Sequence, residues 1–301
     1  MEKVIELGDA EEQMALFGSH DRHLRLIRDA LAVKISARDG KLHIDGASAA
    51  VERAAEVIRE LQHLTSGSEE VSAEHVGRII EMVKRQGLPR HRVALEVFTP
   101  GRPVRAMTNG QVKYVHAMER SDLVFCIGPA GTGKTYLAVA MALQALKQKT
   151  IKRVVLARPA VEAGERLGFL PGDMMAKVNP YLRPLLDALH DMMDFEQAKM
   201  FLENDIIEII PLAYMRGRTL NDAIIILDEA QNTTVAQMKM FLTRMGMRSR
   251  MVITGDITQV DLHESKKSGL IDARDKLSKI KSIEIVTLTR RDIVRHRLVQ
   301  E

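Results

Sequence analysis

Lys134 and Thr135 close a short run of small residues, Gly128, Pro129, Ala130, Gly131, Thr132 and Gly133. The run fits the pattern G-x-x-x-x-G-K-[ST], and the order of its residues matters chemically. Glycines let successive backbone N–H groups curl around phosphate oxygens, and a following helix adds the partial positive charge of its N-terminus. In that geometry Lys134 reaches the β- and γ-phosphates of a nucleotide and the Thr135 hydroxyl holds Mg²⁺. Two acids stand further along, at the end of the apolar run Ala223 to Leu227: Asp228 and Glu229. Asp228 suits Mg²⁺, held through water, because that ion keeps much of its hydration shell. Glu229 suits a general base that takes a proton from attacking water. An acid after a strand is common by itself, and it acquires this meaning only with the phosphate loop upstream.

A third apolar run, Met251 to Thr254, leads into Gly255, Asp256 and Gln259. Gln231 and Gln259 could each orient water or sense the γ-phosphate, as glutamines do in other nucleotide hydrolases. These groups share a site only if several strands end side by side. The chain beyond residue 105 alternates accordingly: strands at 123–128, 152–157, 206–212, 223–228, 251–255 and 283–288, with helical stretches to 148, around 182–203, and at 234–245 and 269–279. That alternation predicts an α/β fold with a doubly wound parallel sheet, whose ligands collect at the carboxyl ends of the strands.

The chain has 301 residues, enough for one domain of about 200 residues and a smaller one. Apolar residues make up 46% and aromatics only 4%, without Trp, so Met, Leu, Ile and Val must fill the cores. A net charge of +4 permits nucleic-acid binding without establishing it. The single cysteine, Cys126, excludes a disulfide framework and reads as a small buried residue. No secretory signal and no apolar run of about 20 residues is visible, so a cytoplasmic protein without a membrane span is expected.

The boundaries predicted are a small α+β module at 1–66, a helical connector and linker at 67–104, and the nucleotide-binding domain at 105–301. In the connector, Val76, Ile79, Ile80 and Val83 mark one helix face, and Pro100 and Pro103 then break the chain. In the N-terminal module, Gly18-Ser-His-Asp21 precedes a helix carrying Leu24, Ile27 and Leu31, two strands joined at Asp39-Gly40, and a helix carrying Val51, Ala54, Ala55, Ile58 and Leu61. This resembles a KH module, which clamps backbone nucleotides of RNA with a G-x-x-G loop. It departs where Asp21 replaces the second glycine, with Arg22, His23 and Arg25 partly offsetting the added charge. A packing or oligomerisation module is the plainer reading.

The nucleotide-binding part resembles the PhoH family. The resemblance rests on the phosphate loop, the stretch Arg158 to Asp173, Leu227-Asp-Glu-Ala-Gln-Asn232 and Thr254-Gly-Asp-Ile-Thr-Gln259. It implies a P-loop, RecA-like fold akin to the first motor domain of superfamily 1 helicases. It also implies Mg²⁺-dependent ATP hydrolysis linked to RNA, either as a helicase or in ribosomal-RNA maturation beside an endoribonuclease, and a connection to phosphate starvation. Thr108-Asn-Gly-Gln111 is similar to the glutamine motif of those helicases, which assigns Gln111 to the adenine edge; Tyr114 stacks nearby or packs. Arg158, Glu162 and Arg166 could line an RNA path or simply cap the sheet edge. Two other readings remain: a nucleotide-gated scaffold for an endoribonuclease, and a small-molecule kinase.

Only 13 residues follow Leu288, too few for the second motor domain that such helicases close over ATP. A neighbouring copy would then lend an arginine to the γ-phosphate, which makes a ring-like homo-oligomer, a hexamer, the expected assembly. Arg291 and Arg295, in the basic run Arg290 to Arg297, are the candidates, acting in trans or in cis.

Overall fold

The computed structural model describes residues 1–66, 71–86, 93–159, 174–263 and 267–294. It divides into two compact units, Met1–Arg90 and His91–Val294.

In the first unit, strands β1 (Glu2–Glu6), β2 (Lys34–Arg38) and β3 (Lys41–Asp45) form an antiparallel sheet in the order β1-β3-β2. Helices α1 (Ala10–Phe17), α2 (Arg22–Leu31), α3 (Ser48–Ser66) and α4 (Ala73–Gln86) complete it. The β2–β3 turn is the expected one, with Asp39 and Gly40 both at positive φ, 53° and 70°, as a tight hairpin requires. The predicted boundary at 66 moves. Val76, Ile79, Ile80 and Val83 of α4 are buried in one core with Ile27, Leu42, Ile44, Val51, Ile58 and Leu61. An amphipathic helix needs an apolar partner, and α4 finds it inside this unit. The module also gains β1 and α1, short charged segments whose sequence carries little periodicity.

The second unit also starts earlier than predicted. Strands β4 (Ala94–Leu95) and β5 (Val104–Arg105) pair antiparallel, and Pro100 and Pro103 lie in their connection rather than in a linker. Leu95 and Val104 belong to the core of this unit. Its main sheet holds β6 (Leu123–Ile127), β7 (Arg153–Arg158), β8 (Ile207–Pro211), β9 (Ala223–Leu227), β10 (Arg250–Gly255) and β11 (Ile283–Thr287). The order is β11-β6-β10-β9-β7-β8, and every pairing is parallel. Val124, Cys126, Val154, Leu156, Ile224 and Ile226 pack on one face with α5 (Asn109–Arg120) and α6 (Lys134–Lys147). Phe125, Ile127, Val155, Ile225, Leu227 and Ile253 pack on the other with α9 (Val235–Leu242) and α10 (Gly269–Leu277). Burial on both faces is why these strands read as continuous apolar runs rather than alternating ones. Helices α7 (Met174–His190) and α8 (Phe195–Glu203) connect β7 to β8.

One placement governs the site. Strand β10 lies between β6, which leads into the phosphate loop, and β9, which ends at the acids. Ile253 stands opposite Leu227, so Thr254 comes level with Asp228.

Candidate active site

Residues Gly128 to Gly133 connect β6 to α6, and Lys134 is the first residue of the helix. Gly131 and Gly133 have φ of 80° and 79°, the left-handed region where a Cβ is costly. Gly128 is needed for a different reason. A Cβ there would lie 2.6 Å from the Leu288 carbonyl oxygen, because its N–H is pinned to Gly255 O (3.1 Å) while Leu288 N–H is pinned to Ile127 O (2.8 Å). The loop is closed on itself: Lys134 Nζ donates to Gly128 O (2.7 Å) and Pro129 O (2.9 Å), and Thr132 Oγ1 donates to Pro129 O (2.8 Å). Burial pushes the Lys134 ammonium below the usual lysine range, opposed by nearby carboxylates that include Asp256, Glu229 and Asp228.

The Thr135 hydroxyl donates to Asp228 Oδ1 at 2.6 Å, and Thr254 donates to the same oxygen at 2.7 Å. Asp228 is 5% exposed. Glu229 follows with φ 52°, a conformation that a non-glycine residue adopts at some cost. It is held by its neighbours: Gln231 Nε2 donates to Glu229 Oε2 (2.6 Å), and Gln231 Oε1 accepts from Asp256 N–H (3.0 Å). Gln231, only 1% exposed, therefore ties the ends of β9 and β10 together. Gln259 is exposed in the turn after β10.

Asp256 adds a group the sequence left unassigned. Its Oδ1 accepts from Thr258 N–H (2.9 Å) and Oγ1 (2.6 Å), while its buried Oδ2 has no hydrogen-bond partner among the described residues. An orphan carboxylate oxygen of this kind calls for a ligand or an ion. The donors gathered here are hydroxyls and carboxylates, the hard oxygen set that suits Mg²⁺. Among the described residues no cluster of three or more His, Cys, Asp or Glu forms a protein cage. One threonine and one carboxylate, completed by phosphate and water, is the usual way Mg²⁺ is bound beside a nucleotide.

Gln111 differs from expectation. The residue is buried, its Oε1 accepts from Met107 N–H (2.7 Å), and its Nε2 donates to Thr132 O (3.0 Å). Each end of the amide is thus already engaged once in holding the phosphate loop. Tyr114 is fully buried beneath the same loop, donating to Lys134 O (3.2 Å). It packs rather than stacks on a base. Thr108 Oγ1 donates to Asp292 Oδ1 (2.6 Å), and Val294 N–H donates to Gly131 O (2.9 Å). The segment after β11 thus returns to the phosphate loop of its own chain. Arg291 is exposed there, and Arg295, Glu162 and Arg166 lie outside the described residues.

Arg158 is the clearest departure. Its guanidinium is turned inward, with Nη2 3.2 Å from Glu229 Oε1 and Nε 3.8 Å from Asp228 Oδ2. The predicted strand 152–157 ends at the ligand edge with Arg158 the next residue, and that was the signal that could have placed it here.

A phosphate loop on β6, acids on β9 and a polar tip on the strand between them define the fold of a P-loop nucleotide hydrolase. Comparison with known proteins makes that class narrower. A family profile described as PhoH-like protein matches residues 103–301. A PhoH-like protein of Bacillus subtilis is 48% identical over 297 residues, covering 97% of this chain and 93% of the relative. One from Synechocystis is 42% identical, covering 98% and 92%. Protein PhoH of Escherichia coli is 44% identical over 200 residues, covering 66% and 56%. The chain belongs to the PhoH-like family. Among solved structures, the Sulfolobus solfataricus SWI2/SNF2 ATPase core in complex with dsDNA aligns at 16% identity and a TM-score of 0.37, covering 60% of this chain and 44% of that one. The Pif1 helicase from Candida albicans aligns at 15% and 0.33, covering 61% and 39%. Among the described residues no helix is long and apolar enough to cross a membrane.

Proposed function

We propose that the chain is a Mg²⁺-dependent ATPase that attacks the γ-phosphate with water, working on or beside RNA. The observation that carries the chemistry is the short bond between Thr135 of the phosphate loop and Asp228, with Glu229 next in the chain. Thr135 and Asp228 would hold the ion, whose chemistry is to neutralise charge developing on the phosphate oxygens. Lys134 leaves its two loop carbonyls for the nucleotide's phosphates, and the backbone N–H groups of Gly131 to Lys134 line the loop. Glu229, oriented by Gln231, accepts the proton of the attacking water. Glu229→Gln should keep binding of a fluorescent ATP analogue while turnover falls by about 10²-fold or more. Wild-type turnover by that variant would refute the base.

The RNA part rests on two features of the first unit: the loop Gly18–Asp21 between α1 and α2, and the exposed Arg22 and Arg25 beside it. His20 and Asp21 there adopt left-handed φ of 54° and 56°, and Arg25 donates to the His20 carbonyl. The test is the ATPase rate with and without single-stranded RNA at low salt, where phosphate contacts are strongest. RNA that neither binds nor changes the rate would favour the scaffold for an endoribonuclease. A cytoplasmic homo-oligomer, a hexameric ring, completes the proposal, with light scattering in ATP and Mg²⁺ as its test. The bond from Val294 N–H to Gly131 O brings the segment 289–294 back to the phosphate loop of its own chain.

A further inference from the structure

The carboxylate pair of the site is balanced by a cation that the phosphate-loop pattern does not contain. Arg158 ends β7, the strand beside β9, and its side chain is only 19% exposed. From the far side it is anchored to α7, where Nη1 donates to the Tyr181 carbonyl at 2.9 Å. Its other nitrogens face Glu229 Oε1 at 3.2 Å and Asp228 Oδ2 at 3.8 Å. Glu229 Oε2 is taken by Gln231. Both oxygens of Glu229 are therefore engaged, one in an ion pair with a guanidinium and one by an amide hydrogen bond, on a backbone at positive φ.

An arginine that reads polymer phosphates keeps its fork toward solvent. Arg158 is tethered, paired and mostly buried, so its geometry is that of a group acting inside the site. A carboxylate offers about four lone-pair positions; one amide hydrogen bond and one ion-pair contact leave room for a water on the same oxygens. The planar fork suits this task because it fixes direction as well as charge, which a lysine ammonium does not.

We infer that Arg158 is a positioning residue for hydrolysis, holding Glu229 from within the same chain in the orientation that accepts the water proton. The inference rests on the reading of Glu229 as the base. It moves Arg158 from an RNA path to the catalytic edge.

The test is a double-mutant cycle in the full chain: Arg158→Gln, Arg158→Lys, Glu229→Gln and the combination Arg158→Gln/Glu229→Gln. Steady-state ATPase is measured beside binding of a fluorescent ATP analogue, anisotropy of labelled oligouridine, and thermal unfolding. Arg158→Gln should lower kcat by about tenfold or more, a part of the ~10²–10⁴ a general base supplies, with KM and analogue binding within about threefold. Arg158→Lys should recover part of the loss, since charge returns without the fork. In the Glu229→Gln background, adding Arg158→Gln should cost nothing more, because the group it positions is gone. A merely structural arginine would give losses that multiply, and that result overturns the inference. So does an unchanged kcat in Arg158→Gln, or lost oligouridine binding with RNA-free turnover intact. If Arg158→Gln does not fold, a folded Arg158→Lys with wild-type kcat overturns it equally. Failure of the underlying reading looks different: Glu229→Gln alone would then turn over normally.

Discussion

Thr254 offers the sharpest test of how the site is held. Its hydroxyl is fully buried at the end of β10 and donates to Asp228 Oδ1 at 2.7 Å, beside the 2.6 Å bond from Thr135. Valine matches threonine in shape and suits a strand, so Thr254→Val removes the donor and little else. A hydrogen bond to a charged group is worth about 1.5–3 kcal/mol, and the carboxylate it leaves is 5% exposed and cannot turn to water for compensation. For a unit of 150–250 residues, 1 kcal/mol shifts Tm by about 2–4 °C. The unit His91–Val294 falls in that range. Thr254→Val should therefore lower the Tm of its unfolding transition by about 3–12 °C, while Thr254→Ser, which keeps the hydroxyl, should lose much less. Differential scanning calorimetry without nucleotide reads the effect directly. With Asp228 Oδ1 held by Thr135 alone, turnover should also fall, about tenfold for each 1.4 kcal/mol lost in the transition state. A valine variant as stable as wild type would refute the reasoning, and so would a serine variant as damaged as valine.

Gly128→Ala places a Cβ 2.6 Å from the Leu288 carbonyl, between two strands that backbone hydrogen bonds hold in place; overpacking of this kind costs about 1–3 kcal/mol, visible as a lowered Tm. Gln111→Ala removes both the acceptor for Met107 N–H and the donor to Thr132 O, so ATP and GTP binding should weaken alike in titrations with fluorescent analogues. Weakening confined to ATP would restore the adenine-reading role. Arg120→Ala tests a pH dependence. Hydrogen bonds from Arg120 and then Ser121 hold the Glu284 carboxyl below the usual range, so its contribution is present above the unfolded value of about 4.3 and lost as pH falls through the folded one. The pair is substantially exposed, so the Tm deficit of the variant should be small at pH 7 and should shrink as pH falls below the unfolded carboxylate value.

Some features of this protein are local, and their meaning survives without the fold. The glycines of the phosphate loop answer to backbone conformation, and the apolar runs at Leu123–Ile127, Ala223–Leu227 and Met251–Thr254 answer to burial on both faces of a parallel sheet. Their polar tips follow because ligands gather where such strands end. Reading residues in order is enough to find Lys134, Thr135, Asp228 and Glu229, and the Asp39-Gly40 turn likewise.

What the order of residues could not supply was adjacency across the chain. That β10 stands between β6 and β9 turned Thr254 from a strand end into a support of Asp228. That β7 borders β9 on the other side brought Arg158 to Glu229. Gln111 shows the same limit: its type suits adenine, but the packing of α5 beneath the phosphate loop engages both ends of its amide. The helix α4, taken from its sequence as a connector, became core because its apolar face met α2 and α3. Which groups are able to do chemistry is legible residue by residue, since that depends on residue type and local conformation. The tertiary structure decided which of them face one another and which are already satisfied, since hydrogen bonds and ion pairs depend on distances between segments far apart in the chain.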